Sequence, residues 1–298
     1  MTDFDHTQIP DLRGKHALVT GPTSGIGRGT ALALGRAGAT VILVARNPAR
    51  CAEVEAELRA AGAPEPIRVI ADLSLLSEAK RAADEVLALG VPLDILVNNA
   101  GLVNQCRLLT AEGLEMTMAV NYFAPFALTL RLLPALRRAA SAGGARVVNV
   151  TSNSYVIGRL KLDDLTFKRF YWPLGPYSAS KLGNIYFTRE LARRLAGERI
   201  TVNAVHPGLI FTNLGIGNNP GPLKAVLGRA WSLFSIDEAE SYRGPTYAAT
   251  HPALEGVTGR YIAVCDVTEP KAVALRDDAA RALWAVSEEL TGERFAAG

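Results

Sequence analysis

The chain has 298 residues, 49% hydrophobic and 20% charged, with 32 Lys and Arg against 29 Asp and Glu. A formal net charge of +3 with dispersed basic residues argues against a nucleic-acid partner. Three distant cysteines, Cys51, Cys106 and Cys265, support neither a metal site nor a disulfide framework.

The N-terminus from Met1 to Lys15 is polar and has no apolar signal core. No run reaches the ~18–20 consecutive apolar residues that a membrane span needs. A reduced, cytoplasmic protein with no membrane span is the expectation.

Short β-branched runs then alternate with longer Ala/Leu/Arg-rich segments of helical period. Strands are predicted at His16–Thr20, Thr40–Ala45, Ile67–Ala71, Ile95–Val97, Arg146–Thr151, Thr201–Val205 and Gly259–Ala263. Helices are predicted at Gly25–Ala37, Ala49–Ala61, Leu76–Leu89, Gly113–Ala139, Tyr177–Gly197, Ile236–Thr250 and Asp277–Leu290. Strands this apolar need cover on both faces. The pattern predicts an α/β fold, a single doubly wound domain spanning residues 1–298 with a seven-stranded parallel sheet. Ligands bind such sheets outside the carboxyl ends of the strands.

The longest irregular stretches are Asn153–Pro176 and Leu209–Ser235. Loops of this length tend to be binding loops. Tyr155, Phe170, Tyr171 and Trp172 in the first, and Phe211, Leu214, Leu223, Trp231 and Phe234 in the second, either line a pocket or complete the core beneath.

Thr20-Gly21-Pro22-Thr23-Ser24-Gly25-Ile26-Gly27 follows the first strand and opens the first helix. Gly21 permits the tight turn, Gly25 a close backbone approach to a phosphate, and Gly27 close helix–strand packing. The helix N-terminus offers N–H groups to a pyrophosphate, so Gly21, Thr23, Ser24, Gly25, Ile26 and Gly27 form a candidate phosphate cradle of the Rossmann type. Pro22 removes one N–H donor from it.

Cofactor choice is read at the end of the second strand, Val44-Ala45-Arg46-Asn47, which carries no carboxylate for a ribose 2′-hydroxyl. Arg46 is instead suited to a 2′-phosphate, with Arg28 as a second cation, which favours NADP(H). The plainer reading of Arg46 is an exposed loop cation.

Tyr177 and Lys181 stand four residues apart in Tyr177-Ser178-Ala179-Ser180-Lys181. On a helix they share one face. An ammonium close to a phenol is expected to lower the phenol's pKa and fit it for proton transfer.

Taken together, these segments resemble the short-chain dehydrogenase/reductase family from about Gly14 to Leu290. The resemblance also takes in Asp72-Leu73, Asn98-Asn99-Ala100-Gly101, Asn121, Ser152, and Pro207-Gly208 with Thr212. His206-Pro207-Gly208 and the tail Ala282-Leu283-Trp284-Ala285-Val286-Ser287 are most similar to the retinol-dehydrogenase-like branch.

The resemblance implies a catalytic set of Asn121, Ser152, Tyr177 and Lys181. Tyr177 would be the acid in reduction and the base in oxidation. Lys181 would bind the nicotinamide ribose, Ser152 would orient the substrate carbonyl, and Asn121 would hold a relay water. Asp72 would contact adenine, with Leu73 beside it. The backbone of Asn99, Ala100, Gly101, Pro207, Gly208, Ile210 and Thr212 would line the cofactor.

Between Ser152 and Tyr177 lie 24 residues, more than in compact family members, and the extension Lys161–Pro176 is expected to wall the substrate site. His206 is expected to be structural. No Gly-x-Ser-x-Gly elbow occurs, which removes a serine hydrolase from consideration.

The expected activity is NADPH-dependent reduction of a ketone or aldehyde on a lipophilic small molecule. A retinal-like aldehyde, a steroid or an aromatic polyketide of secondary metabolism would each fit. The alternatives are a non-catalytic NADP(H)-binding sensor or scaffold, and an alcohol dehydrogenase working mainly in oxidation. The long helices Gly113–Ala139 and Tyr177–Gly197 offer faces for a homodimer, which the family often forms.

Overall fold

Successive residues of a strand point to opposite faces, so strands that are apolar throughout must be sandwiched. The computed structural model describes residues 4–208 and 241–296. The predicted loop Leu209–Ser235, the candidates Ile210 and Thr212, and the start of the helix predicted at Ile236 therefore lie outside the described residues.

The elements run β1 (His16–Thr20), α1 (Gly25–Arg36), β2 (Thr40–Ala45), α2 (Pro48–Ala60), β3 (Ile67–Ile70), α3 (Leu76–Ala88) and β4 (Ile95–Asn98). They continue with α4 (Met116–Met118), α5 (Ala124–Ala142), β5 (Ala145–Val150), α6 (Leu174–Arg194) and β6 (Ile200–His206). The last described elements are α7 (Arg243–Thr250), β7 (Tyr261–Ala263), β8 (Asp266–Thr268) and α8 (Asp277–Thr291).

The strands form one sheet in the order β3-β2-β1-β4-β5-β6-β7-β8. All pairings are parallel except β7 with β8. The direction of winding reverses between β1 and β4, which opens a crevice at their carboxyl ends. Leu18 and Ile42 pack with α3, α5 and α6, while Ala17, Val19, Val41 and Leu43 pack with α1, α2 and α7. That alternation is the physical reason for the unbroken apolar runs.

Seven parallel strands match the expected sheet, and an eighth, antiparallel strand corrects its count. Strand β8 is three residues long and pairs Ala263 with Asp266 across Val264 and Cys265. Val264 adopts φ 58, a region that a β-branched residue rarely enters. Tight hairpins usually announce themselves by Asn or Gly, and this one does not.

The helix predicted from Gly113 begins later, at Met116. Gly113 has φ 80 and belongs to a turn in which its N–H bonds to Thr110. The buried Glu115 caps α4 instead, accepting from the Met118 N–H at 2.8 Å. Between α4 and α5 the backbone widens into a π-helical turn over Ala119–Phe123. By length and composition Met116–Ala142 is apolar enough to cross a membrane, but 89% of its most apolar window is buried inside the protein. It is the core helix on one face of the sheet.

Candidate active site

The glycine turn lies at the carboxyl end of β1. Gly21 and Gly25 adopt φ 65 and φ 50, which need glycine. Gly27 has another constraint: a Cβ there would overlap the Gly21 carbonyl and the Asn99 side-chain amide. It packs against the turn itself rather than against a strand, which refines the expected helix–strand role.

Ser24 stands at the N-cap of α1 but makes no side-chain cap hydrogen bond, and no acidic residue occupies the first turn. Among the described residues no side chain accepts from the first N–H groups of the helix, and the end suits an anion.

Two side chains staple this turn to the loop after β4. Asn99 Nδ2 donates to the carbonyls of Thr20 and Gly21 at 2.9 and 3.3 Å. Thr20 Oγ1 accepts from the Asn99 and Ala100 N–H groups at 3.0 and 2.9 Å. The sequence marked Asn99 for its backbone alone. Its side-chain task shows only when β1 and β4 are neighbours.

Arg46, at the end of β2, is exposed and makes no ion pair or hydrogen bond among the described residues. Asn47 beside it caps α2 through the Arg50 N–H at 3.1 Å. Arg28, expected as a second cation for a phosphate, is already engaged: its Nη2 lies 2.5 Å from Glu57 Oε2 and its Nε 3.3 Å from Oε1. The sequence could not reveal that α2 would lay a carboxylate across it. Asp72 is half-buried and accepts from the Ser74 N–H at 3.0 Å, while Leu73 is buried.

Tyr177 and Lys181 sit on α6, which starts at Leu174, three residues earlier than expected. Lys181 Nζ lies 5.5 Å from the centre of the Tyr177 ring. It donates to the Val150 carbonyl at the end of β5, at 3.0 Å. Ser152 follows the same strand, and its hydroxyl lies near enough to the Tyr177 phenol to act on it electrostatically. Gly101 completes the group, because a Cβ on it would stand 3.4 Å from Asn121 Oδ1 and 3.6 Å from Lys181 Nζ.

The electrostatics correct one expectation. Burial raises the Tyr177 pKa above the ordinary phenol range, with the nearby Ser152 hydroxyl opposing it. Burial also lowers Lys181 to about 8. The ammonium shares a helix face with the phenol but spends its hydrogen bond on a strand-end carbonyl. Desolvation, not attraction between the two side chains, dominates both groups.

Asn121 lies within the π-helical turn, a feature frequent at functional sites. Its side chain exchanges hydrogen bonds with the Leu102 backbone, accepting at 2.8 Å and donating at 3.0 Å, and it reaches Ser180 Oγ at 3.2 Å. Pro207 and Gly208 follow β6, with Gly208 at φ 100. His206 is buried, its pKa lowered by burial to about 4, so it is neutral at physiological pH.

The 153–176 stretch divides between its two readings. Tyr155 is buried edge-to-face on Tyr261, with ring centres 5.4 Å apart, and belongs to the core. Phe170 and Trp172 are 71% and 38% exposed. Arg107 Nε to the Thr166 carbonyl, and the Tyr171 hydroxyl to the Asn104 carbonyl, tie this stretch to the loop after β4 at 2.7 and 2.9 Å. Leu108 and Leu109 on that loop are also exposed.

A sequence profile of short chain dehydrogenases matches residues 15–221. Retinol dehydrogenase 14 of Homo sapiens is 38% identical, covering 94% of this chain and 87% of that protein. Polyprenol dehydrogenase of Mus musculus is also 38% identical, over 97% of this chain and 88% of that protein. Among solved structures, an uncharacterized protein from Mycobacterium paratuberculosis superposes with a TM-score of 0.80 at 32% identity, covering 99% of this chain and 100% of that one. The Pseudomonas aeruginosa RhlG/NADP complex superposes with a TM-score of 0.65 at 33% identity, covering 85% and 96%. With its glycine turn, its Tyr177–Lys181 helix and these relatives, the chain belongs to the short-chain dehydrogenase/reductase family, in the retinol-dehydrogenase-like branch.

Proposed function

We propose that the protein is an NADPH-dependent reductase of a ketone or aldehyde on a lipophilic small molecule. The observation that carries this reading is the meeting of Ser152, Tyr177 and Lys181 at the carboxyl end of β5. That end faces the crevice headed by the glycine turn.

The residues fit a nicotinamide dinucleotide: the α1 N-terminus without a side-chain cap from Ser24, and the tight turn with positive φ at Gly21 and Gly25, suit its pyrophosphate. When bound, the reduced cofactor supplies a hydride. The chain's own groups do the rest. Ser152 donates to the carbonyl oxygen and holds it beside Tyr177. Tyr177 gives that oxygen its proton, and a phenol kept protonated by burial is in the state an acid requires. Lys181 binds the nicotinamide ribose and restores charge near the phenol. Asn121, bonded to Leu102, keeps the Gly101 loop closed against the lysine and positions a relay water.

NADPH rather than NADH is supported by an exposed, unpaired Arg46 at a strand end without a carboxylate. A lipophilic substrate is supported by exposed apolar side chains on two segments tied to each other, Leu108 and Leu109 on the loop after β4 and Phe170 and Trp172 before α6. The names of the retinol and polyprenol dehydrogenase relatives point the same way. Those names also favour a second reading, in which the same groups run in reverse and Tyr177 acts as base on an alcohol.

The direct test is a panel of aldehydes and ketones with NADPH against the matching alcohols with NADP. Turnover of carbonyls at the higher kcat/KM upholds the reductase. Preference for alcohols supports the second reading, and no turnover of either with tight cofactor binding returns the protein to a sensor or scaffold.

A further inference from the structure

Asn184 stands three residues after Lys181, so Tyr177, Lys181 and Asn184 occupy positions i, i+4 and i+7 of one helical stripe. Its Nδ2 donates to the Val150 carbonyl at 3.2 Å, the same oxygen that receives Lys181 Nζ at 3.0 Å. An amide can meet a carbonyl only through its nitrogen, so this orientation is dictated by chemistry. The Asn184 Oδ1 is buried and has no hydrogen-bond partner among the described residues. A buried amide with an unpaired oxygen is costly where an apolar residue would pack without penalty. What offsets that cost is the shared acceptor.

A carbonyl oxygen has two lone pairs. If Lys181 were the sole side-chain donor to Val150, turning away toward a ligand would strip a buried acceptor, and the strand end would hold the ammonium back. With Asn184 in place, the acceptor stays satisfied when the ammonium leaves. The helix need not move, because Thr151 Oγ1 fastens the Lys181 carbonyl to β5 at 2.8 Å.

We propose that Asn184 is a positioning residue for Lys181: it keeps the Val150 carbonyl satisfied, so that the ammonium exchanges between the strand end and the nicotinamide ribose. This rests on the assignment of Lys181 to that ribose. Binding is measured by calorimetry with NADPH and with 2′,5′-ADP, which lacks the nicotinamide ribose, and likewise with NADH and ADP.

Asn184→Leu preserves side-chain volume and removes the donor. It is expected to weaken dinucleotide binding about 5–10-fold, of the order of one lost hydrogen bond, and to leave the adenine fragments unchanged. In a Lys181→Met background the same substitution is expected to have no further effect. If Asn184→Leu does not fold, Asn184→Asp serves, since a carboxylate cannot donate to Val150 and retains the ammonium itself. Equal weakening of dinucleotide and fragment, or no change in either, overturns the proposal. If Lys181→Met leaves the dinucleotide-to-fragment ratio unchanged, the ribose assignment itself fails. If that ratio changes but Asn184→Leu does not alter it, the inference about Asn184 alone is lost.

Discussion

The two halves of the crevice are built from different materials. The half formed by β1, α1 and the end of β2 is shaped by backbone: positive-φ glycines, a turn too tight for a Cβ at Gly27, and the staples of Thr20 and Asn99. Its charged component, Arg46, stands in solvent. The half formed by β5 and α6 is made of polar side chains gathered at a strand end: the buried Lys181 and Asn184 on Val150, with the half-buried Ser152 and Tyr177 beside them. A backbone cradle is broken by volume and indifferent to pH. A buried polar cluster is broken by removing one atom, and it responds to pH.

That contrast can be tested in steps of decreasing size. Tyr177→Phe deletes one oxygen from the polar half. It is expected to reduce kcat by ~10²–10⁴-fold, the usual worth of general acid catalysis, while NADPH binding by calorimetry stays near wild type. A variant retaining more than half the wild-type rate would remove Tyr177 from the proposed chemistry.

Arg46→Asp, in the other half, removes a 2′-phosphate partner and supplies a carboxylate for a 2′-hydroxyl. The ratio of NADPH to NADH dissociation constants is expected to move about 10–150-fold toward NADH, the worth of a charge-assisted bond. An unmoved ratio would reduce Arg46 to a surface cation.

Gly27→Ala adds one methyl to the cradle. The overlap with Gly21 and Asn99 is expected to cost about 1–3 kcal/mol, as overpacking does, visible as a lower Tm at every pH together with weaker cofactor binding. Its pH independence is the point of the measurement.

Lys181 supplies the contrast. Burial brings its pKa from 10.5 to about 8 in the folded chain, so between those values the unfolded chain binds more protons. Stability of the cofactor-free protein therefore rises as pH climbs from about 8 to 10.5 and is penalised below that window. Lys181→Met should abolish this slope, an effect on the order of 2 kcal/mol, read by denaturant unfolding at pH 7 and pH 10. Parallel profiles for the two proteins would refute it.

The smallest effect expected is from Glu57→Gln, which releases Arg28 from its ion pair. An exposed pair is worth ~0–1 kcal/mol, so stability should barely change, while NADPH binding should tighten by a few-fold at low salt. Unchanged binding would mean that Arg28 does not reach the cofactor.

The same division explains what could be read in advance. The alternation of strands and helices was legible because each element carries its own period, and the sandwiching of apolar strands on both sides followed from it. The glycine turn was legible because backbone constraints write themselves into sequence locally: a positive φ asks for glycine whatever the rest of the chain does. The pairing of Tyr177 with Lys181 was equally local, being one turn of helix.

What escaped depends on contacts between distant segments. Strand β8 hides behind a Val264 turn that has no turn signature, and the π-helical widening at Asn121 carries no period of its own. The loss of Arg28 to Glu57, the stapling by Asn99 and the second donor on Val150 join residues brought together only by the sheet order and the packing of its helices. The direction of the Tyr177 pKa escaped for the same reason. Spacing along a helix says which groups are neighbours, but desolvation depends on everything packed around them, and only the tertiary structure decides that.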